Sequence, residues 1–194
     1  MATPAPEALA RRAAEELRAA TGPGIDPEIR EDYLRLLRAA PSALLREGAA
    51  RDHEGGKLHL TVSAVILDDS LARTVLVFHR KAGVWVQPGG HIEAADASLE
   101  AVARREALEE TGLADLERIG DGPALLIPHG PADTFGSCGS HWDAVFALRA
   151  PGAQPALHPE AGSDAVWAPL TDLPPGTAED IAPLLADVQA ALGI

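Results

Sequence analysis

The stretch from Gly89 to Leu113 limits what this chain can fold into more than any other. It reads Gly89-Gly90-His91-Ile92-Glu93 and, after a spacer, Arg105-Glu106-Ala107-Leu108-Glu109-Glu110-Thr111-Gly112-Leu113. Glu106, Glu109 and Glu110 stand at i, i+3 and i+4, so a helix gathers all three on one face. Three like charges that close repel one another unless a cation sits among them. Their oxygens suit a hard divalent ion such as Mg²⁺ or Mn²⁺. The glycine pair upstream lets backbone approach the same spot, and Gly112 suits the C-terminal end of the helix.

Glutamate-rich helices are common, and three glutamates alone usually mark a solvated face. The joint occurrence of the glycine pair, Arg-Glu-x-x-Glu-Glu and a closing glycine, between a strand and a loop, favours a metal site. Arg105 lies four residues before Glu109, where an ion pair would hold that carboxylate in place. Glu100 and Arg104 have the same spacing and read as a surface pair.

This segment resembles the signature of the Nudix hydrolases. That signature is a glycine, five residues, a glutamate, seven residues, then Arg-Glu-aliphatic-x-Glu-Glu-x-Gly-aliphatic. Gly90 matches the opening glycine, and Arg105 through Leu113 match the second half. The first glutamate is replaced by Asp96, or by Ala97 when the count is anchored on Arg105, because the interval from Gly90 is one residue longer than usual. Ala107 fills the aliphatic position. The resemblance spans residues 58 to 170 and is strongest from Val84 to Leu113.

The resemblance implies an α/β fold: a Nudix-type α/β/α sandwich with a mixed central sheet, here preceded by a helical N-terminal extension. It implies a metal-dependent hydrolase that cleaves the diphosphate linkage of a nucleoside diphosphate joined to a moiety X. The cofactor implied is Mg²⁺ or Mn²⁺, held by Glu106, Glu109 and Glu110 with the Gly89 carbonyl as a backbone ligand. Glu106, Glu109, Glu110 and Arg105 form the implied catalytic set, with Glu109 as base and Glu110 as ligand. Other candidates for the base are Glu110 itself and the downstream acids Asp143, Glu160 and Asp164. Two other functions sit on such a fold: a ligand sensor that has lost catalysis, and an isomerase of isoprenoid diphosphates. The intact glutamates argue against the first. The second needs a placed cysteine, and Cys138 falls in a loop well after the helix.

Bulk properties agree with this reading. A chain of 194 residues accommodates one domain of about 150 residues plus an extension. A hydrophobic content of 46% excludes wholesale disorder. The net charge of −13 repels nucleic-acid backbones and anionic membranes. It would also repel a diphosphate unless metal ions screen it. The expected partner is therefore a small molecule with a diphosphate group, and neither a nucleic-acid polymer nor a membrane. With one cysteine, no internal disulfide forms. No run has signal-peptide or transmembrane character, so the expected location is the cytoplasm.

Residues 1–50 read as a helical extension and 51–194 as the hydrolase domain. The extension has helices from Pro6 to Ala20 and after Asp26-Pro27, the latter an N-cap followed by proline, and a short one from Pro41. Packing on the sandwich, covering the cleft and homodimerisation are its open roles. Alternation from Leu58 to Leu67, the apolar run from Thr74 to His79, and Val84-Trp85-Val86 predict strands. Leu125 to Pro128, Trp142 to Leu148 and Ala165 to Trp167 predict three more, with His129 to Gly139 as a loop. Asp96 is placed near the cap of the signature helix, and Thr177 to Leu192 read as a closing amphipathic helix. Arg80 and Lys81 suit a hairpin tip or a phosphate grip. His91 either touches phosphate or faces solvent. His141 and Asp143 share one strand face. His59 and His79 read as structural, and Trp85 and Trp142 as core residues or stacking platforms.

Overall fold

The alternation from Leu58 onward sets the layers of the molecule. The computed structural model describes residues 6–51, 56–131, 140–152, 155–160 and 164–194. Cys138 and Ser163 lie outside them. Helix α1 (Pro6–Ala19) and helix α2 (Pro27–Ala39) lead into a 3-10 turn at Pro41–Leu44. Asp26 caps α2 by accepting the Glu28 and Ile29 N–H groups, as its place before Pro27 predicts. Strands follow as β1 (Ala50–Arg51), β2 (Lys57–Leu67), β3 (Arg73–His79), β4 (Val84–Val86) and β5 (Gly89–His91). Then come α3 (Leu99–Thr111), β6 (Glu117–Arg118), β7 (Leu125–Pro131), β8 (Ser140–Arg149), β9 (Ala165–Pro169) and α4 (Ile181–Leu192).

The strands form one mixed sheet. β2 runs parallel to β8 from Leu58↔Ser140 to Leu67↔Arg149. β7 pairs antiparallel with the far edge of β8, and β9 with β3. The other edge of β2 is divided: β3 meets it at Leu67, while β5 pairs with Thr61, Val62 and Ser63. This split slots the glycine pair beside the middle of the central strand.

Period-two alternation sends β2 side chains to opposite faces. Leu60, Val62, Ala64 and Ile66 join Ala144, Phe146 and Leu148 of β8 in one core, against Leu99, Val102, Ala103 and Ala107 of α3. Val65, Leu67, Val145 and Ala147 face the other way, against Ile181, Leu184, Leu185 and Val188 of α4. The expected α/β/α sandwich is therefore the observed architecture.

The N-terminal helices belong to the α3 layer. Leu9, Leu17, Tyr33 and Leu37 are buried in the same core as α3. The Tyr33 hydroxyl donates to the Asp143 carbonyl at 2.9 Å. Glu16 of α1 accepts the N–H groups of Leu99 and Glu100 at 2.7 and 3.2 Å. Those are unpaired donors of the first turn of α3, where a carboxylate also meets the favourable end of the helix dipole. Removing this cap in Glu16→Ala is expected to cost about 1–2 kcal/mol. Urea unfolding checks this, and an unchanged midpoint would show that the contact contributes nothing.

Several boundaries differ from the sequence expectation. Ser98, whose hydroxyl accepts the Ala101 N–H, caps α3 in place of Asp96. Helix α4 starts at Ile181 and not at Thr177. Gly89-Gly90, for which no strand was predicted, forms β5 with His91. The segment expected as a loop from His129 is strand as far as Pro131. Among the described residues β7 pairs with β8 alone, and an edge strand tolerates proline.

Candidate active site

Glu106 and Glu110 follow Leu99, Val102 and Ala103 at helical spacing, so they lie on the side of α3 that packs on the sheet and meet β5 at its end. Glu106 lies against Gly90: a Cβ built there would sit 2.5 Å from Glu106 Oε1. Glu110 reaches the other glycine, accepting the Gly89 N–H at 3.0 Å. The glycine pair and two of the three glutamates are therefore in direct contact.

Arg105 organises the rest. Its Nη1 donates to Glu106 at 2.7 Å and to Glu109 at 3.3 Å. Its Nε and Nη2 each donate to Asp96 at 3.1 Å, and Nη2 also donates to the His91 carbonyl at 3.0 Å. The expected pairing of Arg105 with Glu109 is present, as one arm of a wider fork. Asp96 is 7% exposed and additionally accepts the Glu93 N–H at 2.8 Å. The residue that departs from the signature thus holds the guanidinium bidentately and pins the turn between β5 and α3. Such planar two-point recognition is what arginine offers and lysine does not.

The three glutamates differ in environment. The Glu106 side chain is 12% exposed and that of Glu109 is 43% exposed. Burial raises the Glu106 pKa, opposed by the Arg105 guanidinium and reinforced by Glu109 and Asp96. Burial raises Glu110 further, from the usual 4.5 to about 7; the Gly89 N–H opposes this, and the charges of Glu106 and Glu109 add to it. Buried acids that repel one another fit a site completed by a divalent cation.

Glu110 has a consequence for stability. Its folded pKa lies above the ordinary value, so the native protein holds an extra proton between about pH 4.5 and 7. Stability of chelator-treated protein is expected to fall as pH rises through that window, by about 3 kcal/mol at most. Glu110→Gln should remove this slope. Urea unfolding at about pH 5 and about pH 8 measures it, and equal slopes in both proteins would refute the assignment.

Beside the helix end lies a cavity of about 520 Å³ lined by Phe78, Trp85, Pro159, Asp164, Ala165 and Val166. Phe78 and Trp85 meet edge-on with centroids 5.2 Å apart. The neighbouring residue Glu160 donates its N–H to the Glu109 carbonyl, and the His158 N–H donates to that of Thr111. One short segment thus joins the last turn of α3 to the cavity wall.

The remaining sequence candidates divide. Asp143 accepts the Thr61 hydroxyl at 2.9 Å, on the sheet face opposite the α3 packing surface. Asp164 forms an exposed pair with Arg80 at 3.3 Å at the cavity rim, whereas Glu160 approaches the site through its backbone. His79 accepts the Ala82 N–H through Nδ1 and shapes the turn after β3. Trp142 packs on Tyr33 with centroids 5.0 Å apart, in keeping with a core role. Sequence reading missed Glu16, which carries no local signal. It also missed the grouping of His59, His91 and His141, which strand pairing creates.

A family model for the NUDIX domain matches residues 57–188, about two thirds of the chain. The chain belongs to the Nudix family. It is accordingly a pyrophosphohydrolase, acting on acid anhydrides. No curated protein matches this chain. Among solved structures, a Nudix-family hydrolase from Clostridium perfringens is similar at 24% identity and TM-score 0.55, covering 68% of this chain and 96% of its own. The C. elegans Ap4A hydrolase shares 16% identity at TM-score 0.55, with 69% and 97% covered. The Nudix domain of Shewanella oneidensis NrtR, solved with ADP ribose, shares 24% identity at TM-score 0.50, with 72% and 92% covered. At these identities the likeness establishes the Nudix fold. No helix among the described residues is long and apolar enough to cross a membrane.

Proposed function

We propose that this Nudix protein hydrolyses the diphosphate linkage of a nucleoside diphosphate joined to a second moiety, using Mg²⁺ or Mn²⁺ held by Glu106, Glu109 and Glu110. The contact of Glu106 with Gly90 and of Glu110 with Gly89 supports this reading, because it sets the acidic cluster against backbone that no side chain covers at the glycines. The Gly89 carbonyl is the proposed backbone ligand. A bound divalent ion supplies charge neutralisation of the anhydride oxygens and a lower pKa for its water.

The protein's own groups divide the remaining work. Glu109, whose side chain is 43% exposed against 12% for Glu106, takes the proton of the attacking water. Glu106 and Glu110 are held by Arg105 and by Gly89, which suits ligands that must not move. Asp96 acts through Arg105 as a positioning residue. Phe78 and Trp85 offer an aromatic wall for a base, and Arg80 at the rim offers a cation to phosphate.

The test is a panel of diphosphate compounds, including ADP-ribose and a dinucleoside polyphosphate, incubated with Mg²⁺ or Mn²⁺ and resolved by mass. Two phosphate-bearing fragments from at least one compound are expected. Ligand binding without a metal-dependent product across the panel would replace catalysis with sensing.

A further inference from the structure

We propose that His59, His91 and His141 form a second metal site, selective for a zinc-class transition ion and distinct from the carboxylate cluster. The strands assemble it. His59 of β2 and His141 of β8 are register partners, and His91 of β5 lies opposite Thr61, two residues further along β2. Period-two alternation then puts all three imidazoles on one sheet face. Ring centroids are 4.6 Å apart for His59 and His141, 5.0 Å for His59 and His91, and 5.9 Å for His91 and His141. One donor nitrogen from each ring lies within 4.8 Å of the other two. Around one zinc ion with bonds of about 2.1 Å, such nitrogens stand about 3.4 Å apart. Small side-chain rotations would close that gap.

A second observation points to a ligand. His59 is 1% exposed, yet neither of its ring nitrogens has a hydrogen-bond partner among the described residues. Nε2 of His91 shares that condition. Burying imidazole nitrogens without partners is unfavourable, and a metal bond removes the deficit. Imidazole donors favour zinc-class ions, whereas Mg²⁺ and Mn²⁺ favour oxygen, so the two clusters should sort different cations. Three protein nitrogens leave one position of a tetrahedral ion for water or an anionic oxygen.

The site also bears on the carboxylate cluster. β5 carries His91 next to Gly90, and the His91 carbonyl receives Arg105. An ion bound by the histidines would brace the strand that presents the glycine pair.

Zn²⁺ titration calorimetry on the chelator-treated full-length triple variant Glu106→Gln/Glu109→Gln/Glu110→Gln separates the two sites, whatever the outcome for hydrolysis. About one equivalent is expected to bind. Adding His91→Ala or His141→Ala to that background should weaken it by about a hundredfold or more. Co²⁺ in the triple variant should give the visible band of a low-coordinate, nitrogen-ligated ion, which requires no histidine variant. The proposal is overturned if the triple variant binds no Zn²⁺ or shows no such band. It is equally overturned if folded histidine variants, checked by circular dichroism, bind as tightly as their parent.

Discussion

Glutamine at position 109 or 110 is expected to lower turnover by about a thousandfold or more while leaving the fold intact. The substitution keeps the shape of each side chain and removes its charge. At position 110 the amide oxygen can still accept the Gly89 N–H, so the packing of α3 on β5 is retained. The two variants should differ in how they fail. Glu110→Gln should lose metal affinity, because it neutralises a proposed ligand that the Gly89 N–H holds in place. Glu109→Gln should keep most of that affinity and lose kcat, because its exposed carboxylate is assigned to the water. Steady-state kinetics together with Mn²⁺ binding distinguish these patterns. Full activity in both variants would remove the proposed chemistry.

Alanine at Gly90 is the second large expected effect, and it separates activity from stability. The added Cβ would sit 2.5 Å from Oε1 and 2.7 Å from Cδ of Glu106. The obstacle is the end of a flexible side chain, so the backbone can stay while the carboxylate swings away. That movement takes Glu106 off Arg105 Nη1, to which it is bonded at 2.7 Å. Misplacing a reacting group by about 1 Å can cost about a hundredfold in rate, and a loss of that order is expected here. Unfolding free energy should change by only about 1 kcal/mol. Gly89→Ala should behave in the reverse way. Its Cβ would meet the Val62 carbonyl oxygen at 2.8 Å and Ser63 Cα at 2.9 Å, which are backbone atoms of the central strand and cannot swing aside. Gly90→Ala with wild-type kcat/KM would show that Glu106 needs no fixed position.

Much of the acidic helix was legible in the sequence because its information is local. Glu106, Glu109 and Glu110 meet through helical spacing alone, and the reach from Arg105 to Glu109 is a single turn. The layers of the sheet were equally legible, since alternation in β2 assigns Val62 and Val65 to opposite cores without reference to any partner. Boundaries were less so. Asp96 looked like a helix cap by position, yet the Arg105 guanidinium nine residues on claims both of its oxygens, and Ser98 takes the capping role. No strand was predicted at Gly89 and Gly90, since only pairing with the edge of β2 makes a strand of them.

By itself, the sequence determined the acidic face and the arginine beside it, because these rest on helical spacing a few residues apart; the family and its sandwich came from the resemblance of Gly90 to Leu113 to the Nudix signature. Only the tertiary structure decided which distant groups complete the site. Glu16 reaches the start of α3 from 83 residues away. The segment at Glu160 ties the end of that helix to the aromatic cavity. His59, His91 and His141 converge through strand pairing. Register and layer packing are collective properties of the folded sheet, so no local spacing encodes these meetings.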